Sequence, residues 1–125
     1  MTEAHTALAE LTEISSQVQA AVLFDGSAVA AATISDEAGA RLATSARALF
    51  DSAAGLREGE LTQIEAATGE GSLFVARDGE RLIAAVTGPS PTAGLVFYDL
   101  KSCLRRAAEK PKPKRRPRAK ASGPS

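Results

Sequence analysis

The chain has 125 residues, with 15 Lys plus Arg against 15 Asp plus Glu and a formal net charge of +0, yet the charges are segregated. Through Leu104 there are 6 basic and 14 acidic residues, a balance of −8, and from Arg105 to Ser125 there are 9 and 1, a balance of +8. Roughly 100 residues make one compact domain and exclude two, so the expected organisation is a domain over 1–108 and a basic tail over 109–125.

From Glu3 to Val18, Leu8, Leu11, Ile14 and Val18 recur at three- and four-residue steps, which predicts a first helix. Ala21 to Phe24 is a short apolar run, followed by Asp25-Gly26 and by Ala28 to Thr33. Asp-Gly between two apolar runs predicts a hairpin, because the turn needs a positive φ that glycine adopts without steric cost. Ser35 followed by Asp36 and Glu37 predicts a helix start, with a hydroxyl cap and carboxylates where the macrodipole favours them. Leu42, Ala46, Leu49, Phe50 and Ala53 keep helical spacing up to Gly55, a candidate stop. After the polar connection Arg57 to Glu60, Leu61 to Ala66 mixes apolar and polar residues as a half-exposed edge strand does.

Gly69-Glu70-Gly71 turns the chain into a strand over Ser72 to Arg77, Asp78-Gly79 repeats the hairpin signal, and Arg81 to Thr87 is the longest apolar strand. Gly88-Pro89-Ser90-Pro91 ends it. Thr92 can cap a last helix whose stripe is Leu95, Val96, Leu100, Cys103, Leu104 and Ala107. The order is therefore α-β-β-α-β-β-β-α, an α+β class. The two most apolar strands, Val22 to Phe24 and Leu82 to Val86, should be central, which implies strand order 2-1-5-4-3 and leaves the third strand at an edge. That strand carries little charge and no Pro to blunt it, so pairing with another chain is the expected use. A core rich in Ala, with Phe24, Phe50, Phe74, Phe97 and Tyr98 as its only aromatics, is thin and also favours association.

This element order, with Val22-Leu23-Phe24-Asp25-Gly26 after an amphipathic helix, an Ala-rich second helix and Thr92-Ala93-Gly94-Leu95-Val96 opening a third, resembles the Roadblock/dynein light chain (Roadblock/LC7) family over roughly Ala7 to Ala108. The resemblance implies a profilin-like five-stranded antiparallel sheet with helices on both faces. It also implies a homodimer made by the second helix and third strand of each subunit. Members of the family act as non-enzymatic partners of small Ras-like GTPases, as scaffolds or activators, or as motor light chains, and bacterial relatives look like GTPase regulators. The tail lies outside the family pattern.

On the second helix, Leu42, Ala46, Leu49 and Ala53 are expected to face the sheet and Arg41, Thr44, Arg47, Ala48 and Asp51 to face away. Periodicity alone fits a solvated face equally well, and the resemblance is what makes it a dimer interface. Small Thr44 and Ala48 would admit a second helix, Arg47 could pair across it with Asp51, and Thr62, Gln63 and Ile64 would complete the interface by strand addition.

Enzyme chemistry finds no support. There is no Gly-x-x-x-x-Gly-Lys loop, the only histidine is His5, and the lone Cys103 excludes an internal disulfide or Cys-based zinc site and reads as a buried apolar residue. No catalytic residue, metal or cofactor is expected. Arg47 or Arg57 could in principle reach a GTPase nucleotide in trans.

In the tail, Lys110, Lys112, Lys114, Arg115, Arg116, Arg118 and Lys120 alternate with Pro and no large apolar residue, so it should be disordered and attract phosphates without reading sequence. Weak contact with nucleic acid or an anionic membrane, and folding back onto the acidic domain, are all open to it. With no basic leader and no run of roughly 20 apolar residues, the expectation is a cytoplasmic homodimeric adaptor that binds a small Ras-like GTPase. The alternatives are a nucleic-acid-associated protein that uses the dimer to present two basic tails, and a ligand-sensing module.

Overall fold

The computed structural model describes residues 3–26, 28–56 and 59–108. Arg57 and the tail cations Lys110, Lys112, Lys114, Arg115, Arg116, Arg118 and Lys120 lie outside the described residues. The elements are α1 (Glu3–Ile14), β1 (Val18–Asp25), β2 (Ala28–Ala32), α2 (Asp36–Ala54), β3 (Gln63–Ala67), β4 (Ser72–Asp78), β5 (Arg81–Thr87) and α3 (Ala93–Ala108), in the expected order. The strands form one antiparallel sheet in the order β2-β1-β5-β4-β3, as the sequence predicts.

Both Asp-Gly hairpins form, and their glycines take the left-handed backbone the turns require, with φ +62° at Gly26 and +65° at Gly79. Ser35 caps α2 by accepting a hydrogen bond from the Ala38 N–H at 3.2 Å. At the other end Gly55 has φ −84°, so α2 stops there without using the left-handed freedom of glycine.

The sheet divides the core into two layers. On one face α1 and α3 cover Ala21, Leu23, Phe74, Ala76, Ile83 and Ala85, with the Phe74 and Phe97 rings edge-to-face at 5.0 Å. On the other, α2 covers Val22, Phe24, Val75, Leu82 and Ala84.

Three expectations need correction. The first helix ends at Ile14 instead of Val18: Val18 opens β1 opposite Thr87, and Ile14 is 57% exposed. The chain turns there because Gln17 is drawn to the start of α3, where its Oε1 accepts the Thr92 N–H at 2.7 Å. Thr92 accordingly enters α3 through its backbone, its carbonyl accepting the Val96 N–H. In α3, Leu95 is 51% exposed and leaves the apolar stripe, since the helix turns Val96, Leu100, Cys103, Leu104 and Ala107 inward. The third strand begins at Gln63, with Leu61 packed against the α2 cluster outside the ladder.

Gly71 is held by close approach. A Cβ there would overlap the carbonyl oxygen of Thr87, which is fixed in the sheet by the Ser72–Thr87 pair. Gly71→Ala is expected to destabilise the fold by about 1–3 kcal/mol, the usual cost of forcing atoms into a packed site. Urea unfolding should show a lower midpoint with an unchanged slope, and an unchanged midpoint would contradict the close approach.

Candidate functional site: the outer face of α2 and the β3 edge

α2 sits lower on the sheet than its leucines suggest. Its buried stripe is Gly39, Ala43, Ala46 and Phe50, whereas Leu42, Leu49 and Ala53, expected inward, are half-buried on the flanks. Packing explains the rotation. At the N-terminal half, Gly39 lies so close to β2 that an added Cβ would stand 2.9 Å from the Ala32 Cβ, so only small residues fit beneath the helix. At the C-terminal half the gap widens, and Phe50 fills it.

The opposite side of α2 presents the residues the sequence placed there. Arg41, Thr44, Ala48 and Asp51 are exposed and Arg47 is half-buried. Arg41 pairs with Glu37 at 3.3 Å and Arg47 Nε with Asp51 Oδ2 at 3.2 Å, both one turn apart within the helix. Arg47 therefore already holds its Asp51 partner inside one subunit, and a pairing across two helices would be an exchange of this bond. Exposed pairs of this type contribute only about 0.3–0.5 kcal/mol, so such an exchange costs little. Between the two pairs Thr44 and Ala48 leave a shallow, small-residue strip.

β3 borders this face. It hydrogen-bonds only to β4, so its outer N–H and C=O groups form a free sheet edge among the described residues. The register separates the residues expected to act together. Ile64 opposes Val75 and packs into the α2 layer, beside the strip. Gln63 opposes Ala76, which belongs to the α1/α3 layer, so its side chain lies on the other face of the sheet. Thr62 precedes the strand and contributes its carbonyl, which accepts the Arg77 N–H at 2.9 Å.

Sequence reasoning missed what fixes the approach to this edge. Arg77 Nη2 reaches Glu60 Oε2 at 2.7 Å, and its guanidinium lies 5.4 Å from the Phe50 ring centroid. One side chain thereby ties β4 to the end of α2 and to the segment leading into β3. Only the position of Arg77, two residues after the α2-facing Val75, hinted at this.

Among the described residues no three His, Cys, Asp or Glu side chains come together as a metal site, and no helix is long and apolar enough to cross a membrane.

No family model matches the sequence, and no curated protein matches it. Solved structures do match. A Roadblock/LC7 domain from Streptomyces avermitilis superposes with a TM-score of 0.70 at 19% identity, covering 78% of this chain and 88% of that one. The gliding protein MglB from Thermus thermophilus gives 0.65 at 21% identity, covering 85% and 86%. Myxococcus xanthus MglB gives 0.66 at 16% identity, covering 85% and 92%. What the chain shares with them at these identities is the Roadblock/LC7 fold.

The single thiol is not a nucleophile at neutral pH. Cys103 is buried, and burial pushes its pKa from an ordinary 9.0 up to about 12, with Arg106 opposing the shift and Glu10 adding to it. In native protein at pH 8, iodoacetamide is expected to leave Cys103 unlabelled, and labelling should become complete in urea, as read by mass spectrometry. Because the folded value is the higher one, the thiol adds nothing to pH dependence below pH 9 and costs stability as pH rises from 9 toward 12.

Proposed function

We propose that the chain is a non-enzymatic, cytoplasmic homodimeric adaptor that binds a small Ras-like GTPase and influences its nucleotide state or location. The observation that carries the reading is the free β3 edge lying beside the small-residue strip of Thr44 and Ala48 on α2. Two copies of β3 can pair antiparallel about a two-fold axis perpendicular to the sheet. The ten strands then run continuously, both α2 helices lie on one face, and the strips meet without large side chains holding them apart. Ile64 seals the seam from the α2 side, while Arg41, Arg47 and Asp51 supply its polar rim.

The GTPase partner rests on the resemblance to Roadblock proteins and on the fold shared with the MglB gliding proteins. Arg47 rests on Asp51 in this structure and Arg57 lies outside the described residues, so the reading assigns neither a role at the nucleotide. Regulation of the GTPase would then proceed by ordering its own switch segments.

Wild-type protein is expected to sediment as a dimer, and Ala48→Arg as a monomer with an unchanged circular dichroism spectrum, because a solvent-facing substitution of this kind normally changes stability by no more than about 0.5 kcal/mol. A pull-down with wild-type protein should recover a nucleotide-binding partner that Ala48→Arg recovers poorly. A monomeric wild-type protein without such a partner would overturn the proposal.

A further inference from the structure

On the face opposite α2, a hollow of about 370 Å³ lies between α3 and the β4–β3 end of the sheet, lined by Thr62, Arg77, Asp78, Lys101, Leu104 and Arg105. Three cations thus meet one carboxylate. The other described arginines are occupied: Arg41, Arg47, Arg77 and Arg106 each hold a carboxylate, and Arg81 holds the Ala107 carbonyl. Lys101 and Arg105, one turn apart on α3, hold no carboxylate among the described residues, and Arg105 reaches only Ser102 Oγ at 3.1 Å. Positive charge is therefore left over beside Thr62, where β3 begins to pair.

The free strand carries the complementary charge. Thr62 turns its carbonyl to the Arg77 N–H of β4, and the backbone groups of an antiparallel strand alternate in direction, so Gln63, Glu65 and Ala67 offer theirs to the open edge. Gln63 and Glu65 stand opposite Ala76 and Phe74 of the α1/α3 layer, so both side chains lie on the same face of the sheet as the hollow. A two-fold axis perpendicular to the sheet keeps like faces together, so in a β3–β3 ladder it must pass through a pair of identical residues. Centred on Glu65, it would set two carboxylates directly opposite each other, which is destabilising. Centred on Gln63 or Ala66, it would face Ile64 with Thr62 or Thr68 of the partner subunit. Centred on Ile64, it sets apolar against apolar on the α2 side and brings Gln63 opposite Glu65 of the partner subunit, with both backbone hydrogen bonds made.

We infer that the β3 ladder between subunits is centred on Ile64, and that Lys101, with Arg105 behind it, takes Glu65 of the partner subunit as its carboxylate. This rests on the dimer proposed above and adds to it a register and an ion pair that occurs twice. The level fits. Phe97 of α3 meets Phe74 of β4, and Arg105 borders Asp78, so helix and strand advance together. The four residues from Phe97 to Lys101 rise about 6 Å, close to two strand residues of about 3.3 Å each. Lys101 therefore stands over the Ala76–Gln63 pair, the level at which this register places the partner's Glu65. The reach fits as well, because the partner strand would lie two strand spacings, about 10 Å, from β4, a gap that a lysine and a glutamate span from opposite sides.

Two measurements on the full chain test this. Glu65→Lys and Lys101→Glu are each expected to raise the dimer dissociation constant about tenfold, read by sedimentation over a dilution series, because each reversal sets like charges together at two places. The double variant restores opposite charges and should return to within about threefold of the wild type. Glu65 is exposed, so its reversal leaves the fold of the single chain intact by circular dichroism. Register is read separately by oxidation. Ile64→Cys should link two subunits readily, since opposite residues that share no ladder hydrogen bonds bring their Cα atoms to about 4.5 Å, whereas Glu65→Cys should link poorly. A dimer indifferent to the single reversals, or one that links through Glu65→Cys and not through Ile64→Cys, overturns the register and the ion pair while leaving the dimer standing. A monomeric wild type overturns both.

Discussion

Pairing of β1 with β5 is the constraint from which the rest of the architecture follows. It joins the hairpin of the N-terminal half to the hairpin of the C-terminal half, in one register from Ala20–Val86 to Asp25–Arg81, with a shift between Ala20 and the Val18–Thr87 pair. Ala21 to Phe24 and Leu82 to Ala85 are at most 1% exposed, so both faces of the pair are dry. Side chains alternate along a strand, and a slip of one residue would exchange the two faces entirely. The register thus commits Ala21, Leu23, Ile83 and Ala85 to one layer and Val22, Phe24, Leu82 and Ala84 to the other. Two helices are then needed on the first face and one on the second. With both central positions occupied, the strand left over, β3, has only β4 to pair with.

Small side chains set how closely the helices come. Alanines at 21, 76, 84 and 85 keep the sheet surface low, and Gly39, Ala43 and Ala46 let α2 settle on it. Volume is restored locally by Phe24 and Phe50 on the α2 side and by Phe74 against Phe97 on the other. Each layer therefore has a thick end and a thin end. The thin end of the α2 layer lies at Gly39 and Ala32, and the thick end at Phe50, where the Arg77 guanidinium covers the ring and reaches Glu60. An aromatic chosen to fill the core thus also anchors the segment that delivers the edge strand.

Much of this was legible from local chemistry. The Asp-Gly turns, the Ser35 cap and the continuous apolar runs of β1 and β5 each depend on neighbours in sequence, and together they imply the strand order and the free edge. What was not legible depends on neighbours in space. Val18 continues the helical period of Leu8 and Leu11, but a ladder partner at Thr87 outweighs the fraction of a kcal/mol that one more β-branched helical residue is worth. Leu42 and Leu49 looked more buried than Ala43 because they are larger, yet the space under α2 admits only the smaller residue at the turn beside β2. Within the candidate site, outward-facing Thr44 and Ala48 followed from the helical period, whereas the division of Gln63 from Ile64 needed the β3–β4 register. The Arg77, Phe50 and Glu60 arrangement joins three elements and has no sequence signature.

The two faces of the sheet carry different chemistry, and symmetry keeps them apart. The α2 face offers small residues with short-range ion pairs one turn apart, a surface suited to close packing against its own copy. The α1/α3 face offers a small cleft walled by Leu11, Ile14 and Tyr98, with the Glu10–Arg106 ion pair beside it. A two-fold axis perpendicular to the sheet leaves like faces together, so in the proposed dimer both α2 helices lie on one side and both α1/α3 layers on the other. The end of α3 is nevertheless tied to the sheet, because Arg81 Nη1 donates to the Ala107 carbonyl at 2.7 Å, and Arg81 stands opposite Asp25 in the β1–β5 ladder. Arg47 on α2 borders the same turn at Asp25 and Gly26. That turn is one place where α3, the sheet and the rim of the α2 face come together, and Arg77 is another, because it borders Lys101, Leu104 and Arg105 of α3 on one side and the Phe50 ring of α2 on the other.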